Sequence, residues 1–237
     1  KNNKGTEDNR VRKLDYSIQI SKLFYERFIS NGDITLFSPH DTPGLYDAFG
    51  TDKFDDLYTR YESDESIPKK TIGAQELILD LLKERAETGR IYIMNIDHCN
   101  THSSFKDIIR MSNLCQEITL PTEPLQHIDG EGEIALCILS AINVGKLVYF
   151  DDLETLCDLS VRALDEIIEH QGYPVKAAEI STKSRRSLGI GYIGLAHYLA
   201  KTGYNYNEKG AWEAVDELTE YFQYYLLKSS NNLAKEK

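Results

Sequence analysis

Ser112-Asn113-Leu114-Cys115-Gln116-Glu117-Ile118 is the stretch on which the reading of this chain turns. If the segment is extended, Asn113, Cys115 and Glu117 share one face and Leu114, Gln116 and Ile118 share the other. A thiol between an amide and a carboxylate suits a dry core poorly, because each polar group would need a partner there. It suits chemistry in which sulfur takes a hydrogen and a carboxylate moves a proton. Cys137 follows 22 positions later, in Gly132-Glu133-Ile134-Ala135-Leu136-Cys137, where a second strand could return to the same site. Two approaching thiols can supply two electrons by forming a disulfide.

The elements around these segments alternate. Apolar spacing predicts a helix from about Asn9 to Ile29, ended by Asn31-Gly32, then a short strand at Ile34-Thr35-Leu36-Phe37. Short helices are expected near Gly44–Phe49 and Asp52–Glu62, and a longer one from Ala74 to Glu87 stopped by Gly89. Ile91 to Ile96 reads as a buried strand, and the segment from Asp97 to Gln126 as loop-rich. Strands are predicted at Leu114–Leu120 and Glu133–Leu139, joined by the acidic loop Asp129-Gly130-Glu131-Gly132. Helices follow at Leu153–His170, at Arg185–Ala200 with glycines for close packing, and at Ala211–Lys235. The alternation indicates α/β, with no linker to divide the chain.

Composition narrows the function classes. The chain has 237 residues, 41% hydrophobic and 27% charged, within the range of ordinary globular proteins. A net charge of −11 argues against affinity for nucleic-acid backbones. No apolar run could cross a bilayer, and Lys1-Asn2-Asn3-Lys4-Gly5 is not a secretory signal, so no membrane is expected. Cys99, Cys115, Cys137 and Cys157 do not form a secreted disulfide framework, and a reducing cytoplasm fits all four. Cys157, inside a helical pattern, reads as a small core residue.

Two motifs read as structural. His98, Cys99 and His102 give at most three zinc ligands, with no second motif to complete a tetrahedron. Gly189-Ile190-Gly191-Tyr192-Ile193-Gly194 satisfies a dinucleotide pattern, yet Lys183-Ser184-Arg185-Arg186 before it is not a buried strand. The acidic runs at 52–56, 62–65 and 213–220 read as solvated faces.

Taken together, Asn113-Leu114-Cys115-Gln116-Glu117-Ile118, Gly132-Glu133-Ile134-Ala135-Leu136-Cys137 and Leu139-Ser140-Ala141-Ile142-Asn143-Val144-Gly145 resemble the large catalytic subunit of class Ia ribonucleotide reductase. The residues 5–12, Leu36-Phe37-Ser38-Pro39-His40-Asp41, residues 43–49, Gly89-Arg90-Ile91-Tyr92, residues 97–102 and residues 185–191 are similar to further blocks of that family.

The resemblance implies a single partial domain over residues 1–237, part of a ten-stranded α/β barrel with the radical cysteine on a loop inside it. It implies that Cys115 carries the thiyl radical, Glu117 takes the 3′-hydroxyl proton, Asn113 holds the substrate and orients Glu117, and Cys137 is one of two reducing thiols. Residues Asn113, Leu114, Cys115, Gln116 and Glu117 are the expected substrate contacts.

The implied substrates are ribonucleoside diphosphates, and the implied reductant is a thioredoxin or glutaredoxin. A small radical-generating subunit is expected to hold a dinuclear metal and a tyrosyl radical, with no cofactor or metal in this chain. Homo-oligomerisation is also expected. Relative to the family the chain reads as a central piece, without the amino-terminal ATP cone, the partner thiol of Cys137 or the carboxy-terminal part of the barrel. The expectation is therefore an isolated chain without turnover. The rival reading is a non-catalytic assembly piece that completes another chain.

Overall fold

The computed structural model describes residues 14–128, 130 and 132–237, in two compact units, Lys1–Thr122 and Glu123–Lys237. The family block at 5–12 and the acidic residues Asp129 and Glu131 lie outside the described residues.

The first unit runs β1 (Tyr16–Ile20), α1 (Lys22–Ile29), β2 (Asp33–Phe37), α2 (Leu45–Ala48), α3 (Phe54–Ser63), β3 (Lys69–Gly73), α4 (Ala74–Thr88), β4 (Ile91–Asn95) and α5 (Ile96–Thr101). Strands β1 and β4 pair in parallel, Tyr16 opposite Ile91 and Ile20 opposite Asn95. The long crossover that parallel pairing requires contains an antiparallel pair, β2 with β3. Ile20, Phe24, Ile34, Ala74 and Ile78 form one core cluster, and Met94, Ile96 and Ile109 another. Gly89, at φ +66, ends α4 in the left-handed conformation and donates its N–H to Arg85 O.

The helix expected from Asn9 is corrected here. Residues 16–20 form a strand, and the helix begins only after Ser21, whose hydroxyl accepts the Phe24 N–H. Tyr-Ser-Ile-Gln-Ile alternates as well as it spirals, and pairing with β4 decides between the two periods.

Strand β2 is met at Thr35 by a side chain of α3. The buried Tyr58 hydroxyl donates to Thr35 O at 2.8 Å and accepts the Thr35 N–H at 2.7 Å. Tyr58→Phe leaves a buried N–H and C=O unpaired, so a loss of about 1–3 kcal/mol is expected. Urea unfolding checks this; an unchanged midpoint would count against it.

The second unit runs β5 (Ile138–Asn143), a short 3-10 turn, α6 (Asp152–His170), α7 (Lys176–Arg185), β6 (Leu188–Ile193), α8 (Leu195–Thr202) and α9 (Lys209–Glu236). Strands β5 and β6 pair in parallel, from Ile138 opposite Leu188 to Asn143 opposite Ile193, with α6 and α7 in the crossover. Leu153 and Cys157 of α6 pack with Leu218 and Phe222 of α9. Cys157 is fully buried, and that burial pushes its thiol up to about 11.

Three expectations are corrected in these segments. Residues 114–120 form no strand, and the second strand begins at Ile138 rather than Glu133. The glycine-punctuated helix at 185–200 divides into the end of α7, strand β6 and helix α8. Arg186 at φ +48 breaks the first helix, and Gly194 at φ +80 opens the last. Gly189 and Gly191 are therefore strand residues opposite Leu139 and Ala141, not a phosphate-binding turn. Helix α7 escaped the sequence reading because it buries small residues, Ala177, Ala178, Ser181 and Thr182, rather than a large apolar stripe.

Candidate active site

Residues 112–118 of the first unit form a closed turn. The Gln116 N–H donates to Asn113 O at 3.3 Å, which puts Leu114 and Cys115 at the central positions. The Ser112 hydroxyl donates to Ile118 O at 2.6 Å, and the Ile118 N–H donates to Asn113 Oδ1 at 3.1 Å. Cys115, Asn113, Leu114 and Glu117 are all exposed. The thiol stands at the tip of the turn, two residues from a carboxylate. Asn113 uses its carboxamide oxygen inside the loop, so what it offers a ligand is its N–H donors. Gln116 is different: its carboxamide donates to Ser17 Oγ on β1 and to Asn113 O, each at 2.7 Å. The expected alternation of faces does not exist, because the segment curls instead of extending.

Cys137 lies in the second unit, one residue before β5. The segment leading to it is anchored by an isolated bridge between Glu123 and Glu133, and by the Ile134 N–H donating to Ala177 O at 3.2 Å. Arg185 holds Glu133 through Nε at 2.7 Å, with both side chains largely buried. Partial burial raises the Cys137 thiol above its ordinary value, so it is mainly protonated near neutrality. A methyl group on Gly189 would stand 2.7 Å from Cys137 Sγ and 2.5 Å from Leu139 Cδ2. The sulfur lies directly over the bare α-carbon of the neighbouring strand.

Ser17 carries no signal in the sequence, and Gly189 carries one only as a packing glycine. Pairing of β5 with β6 brings Gly189 against Cys137, and the Gln116 carboxamide alone links Ser17 to the Cys115 turn.

His98 and His102 face each other edge to face, ring centroids 5.8 Å apart, beside Cys99, whose thiol is also raised by burial. Among the described residues no three His, Cys, Asp or Glu side chains converge as metal ligands. No described helix is long and apolar enough to cross a membrane.

All 237 residues match the family described as ribonucleotide reductase, barrel domain. The chain belongs to that family. The ribonucleoside-diphosphate reductase subunit alpha of Haemophilus influenzae is 56% identical over 242 residues, covering all of this chain and 32% of that protein. The ribonucleoside-diphosphate reductase 1 subunit alpha of Escherichia coli is 54% identical and the ribonucleoside-diphosphate reductase subunit alpha of phage T4 44%, with the same coverage. This reductase-family chain thus spans about a third of the length of these relatives. Its two parallel strand pairs with helical crossovers are part of the family's α/β barrel.

Proposed function

We propose that this chain forms the radical-cysteine segment of a class Ia ribonucleoside-diphosphate reductase. The carrying observation is an exposed thiol at a turn tip, two residues from an exposed carboxylate, in a member of this family. A thiyl radical at Cys115 takes the 3′-hydrogen of a ribonucleoside diphosphate, while Glu117 accepts the 3′-hydroxyl proton as general base. Asn113 donates its amide hydrogens to the substrate and keeps Glu117 in register. One thiol of the pair protonates the 2′-hydroxyl, which leaves as water, and the other gives a hydrogen atom to C2′. Cys137 and the second thiol close into a disulfide as their remaining electron and the Glu117 proton reduce the 3′-ketone, and the hydrogen held on Cys115 returns to C3′, restoring the Cys115 radical.

A small partner subunit with a dinuclear metal and tyrosyl radical supplies the radical. A thioredoxin or glutaredoxin reduces the disulfide, and a cytoplasmic setting keeps the thiols available. The six described strands fall short of the ten-stranded barrel that the resemblance implies, so the isolated chain is inactive in this reading.

A chimera tests the proposal. This chain replaces the matching third of the Haemophilus influenzae alpha subunit, and deoxyribonucleotide formation is measured with that organism's small subunit and thioredoxin. Turnover by the chimera, and none by the isolated chain, is the expected result. A chimera that folds and binds its small subunit yet makes no deoxyribonucleotide would overturn the assignment. That outcome favours the assembly-piece alternative.

A further inference from the structure

We propose that Gln116 is a positioning residue that ties the Cys115 turn to strand β1 through Ser17. The inference rests on the reading of Cys115 as the reacting thiol. Gln116 sits between Cys115 and Glu117 and adopts φ +66, a left-handed conformation that is strained for a non-glycine residue. Such strain persists where surrounding contacts over-determine the backbone.

The contacts are specific. The bonds of Ser112 and Asn113 close the loop on itself, whereas the Gln116 carboxamide reaches Ser17 Oγ, 99 residues away in sequence. Its second donor hydrogen goes to Asn113 O, the carbonyl that also accepts the Gln116 N–H. One side chain therefore locks the turn internally and fastens it to a strand whose own backbone is paired with β4. Leu114 and Cys115 are exposed and contribute little burial to hold the turn in place.

With Gln116 pinned toward β1, its neighbours Cys115 and Glu117 are left on the exposed side. A carboxylate at 116 could not replace the amide, since it has no hydrogen for the Asn113 carbonyl.

Hydrogen–deuterium exchange of the 112–118 peptide in the full chain tests the tether. Ser17→Ala is expected to speed its exchange about fivefold, the worth of one ordinary hydrogen bond, and Gln116→Ala by more, since it also loses the bond to Asn113 O. The double variant should add little beyond Gln116→Ala, because both remove the same contact. Ser17→Thr retains the hydroxyl and should restore slow exchange. Gln116→Gly keeps the left-handed backbone without the carboxamide and should exchange at least as fast as Ser17→Ala.

Exchange within about twofold of the parent in Ser17→Ala would overturn the proposal. So would equal acceleration in the β4 and α6 peptides, which would mean general loosening. The reading of Cys115 as the reacting thiol fails separately, on turnover by a Cys115→Ser chimera, and that result leaves the exchange data untouched.

Discussion

Cys115→Ser lowers deoxyribonucleotide formation by the chimera about 10³-fold or more, with the thermal midpoint little changed. The size follows from removing the sulfur that carries the radical in the proposed cycle, a loss comparable to deleting a catalytic nucleophile. Serine keeps the shape but holds its hydrogen through a much stronger O–H bond, so the hydrogen abstraction has no carrier. Stability should survive because the thiol is exposed, and the hydrogen bonds that close the turn come from Ser112, Asn113, Gln116 and Ile118. Product formation and a melting curve are read on the same preparation. Retention of more than about a tenth of the parent rate would remove Cys115 from the mechanism.

Gly189→Ala is expected to have the next largest effect, a loss of about 10- to 100-fold in turnover driven by the dithiol. The added methyl group meets Leu139 Cδ2 and Cys137 Sγ at distances no carbon tolerates. Leu139 is 67% exposed and can swing aside. Cys137 cannot do so cheaply: its sulfur is one bond from the β-carbon, and the segment before it is anchored through Glu133 and Ile134. The thiol must rotate off its position, and misplacement of a reacting atom by about 1 Å can cost two orders of magnitude. Strand pairing between β5 and β6 does not depend on a glycine at 189, whose backbone conformation is open to any residue. The signature is reduced turnover with near-normal melting, together with a changed rate of Cys137 alkylation. Parent-like turnover would show that the close approach has no bearing on the dithiol step.

Both variants probe residues of very different legibility. Cys115 stands out in the sequence because a thiol flanked at two-residue spacing by an amide and a carboxylate is costly in a core. Gly189 does not, since Leu-Gly-Ile-Gly fits a packed helix and a strand equally well until a partner strand is known. The same ambiguity misassigned residues 16–20, where an alternating pattern was also compatible with helical spacing. Helices α4, α6 and α9 were legible because each runs for many residues with a clear apolar stripe and a recognisable end, such as Gly89 after α4.

The sequence by itself determined the family, the α/β class, the long helices and the candidate chemistry at Asn113, Cys115, Glu117 and Cys137. These depend on residue type and short spacing, which are local properties of the chain. Tertiary structure alone decided that the Cys115 segment is a turn and not a strand, that Gln116 faces Ser17, and that Gly189 lies under the Cys137 sulfur. The physical reason is that Gln116 and Gly189 meet partners 99 and 52 residues distant, through one hydrogen bond and one steric contact, while the turn itself is closed by bonds among Ser112, Asn113, Gln116 and Ile118, and none of these leaves a period in the sequence.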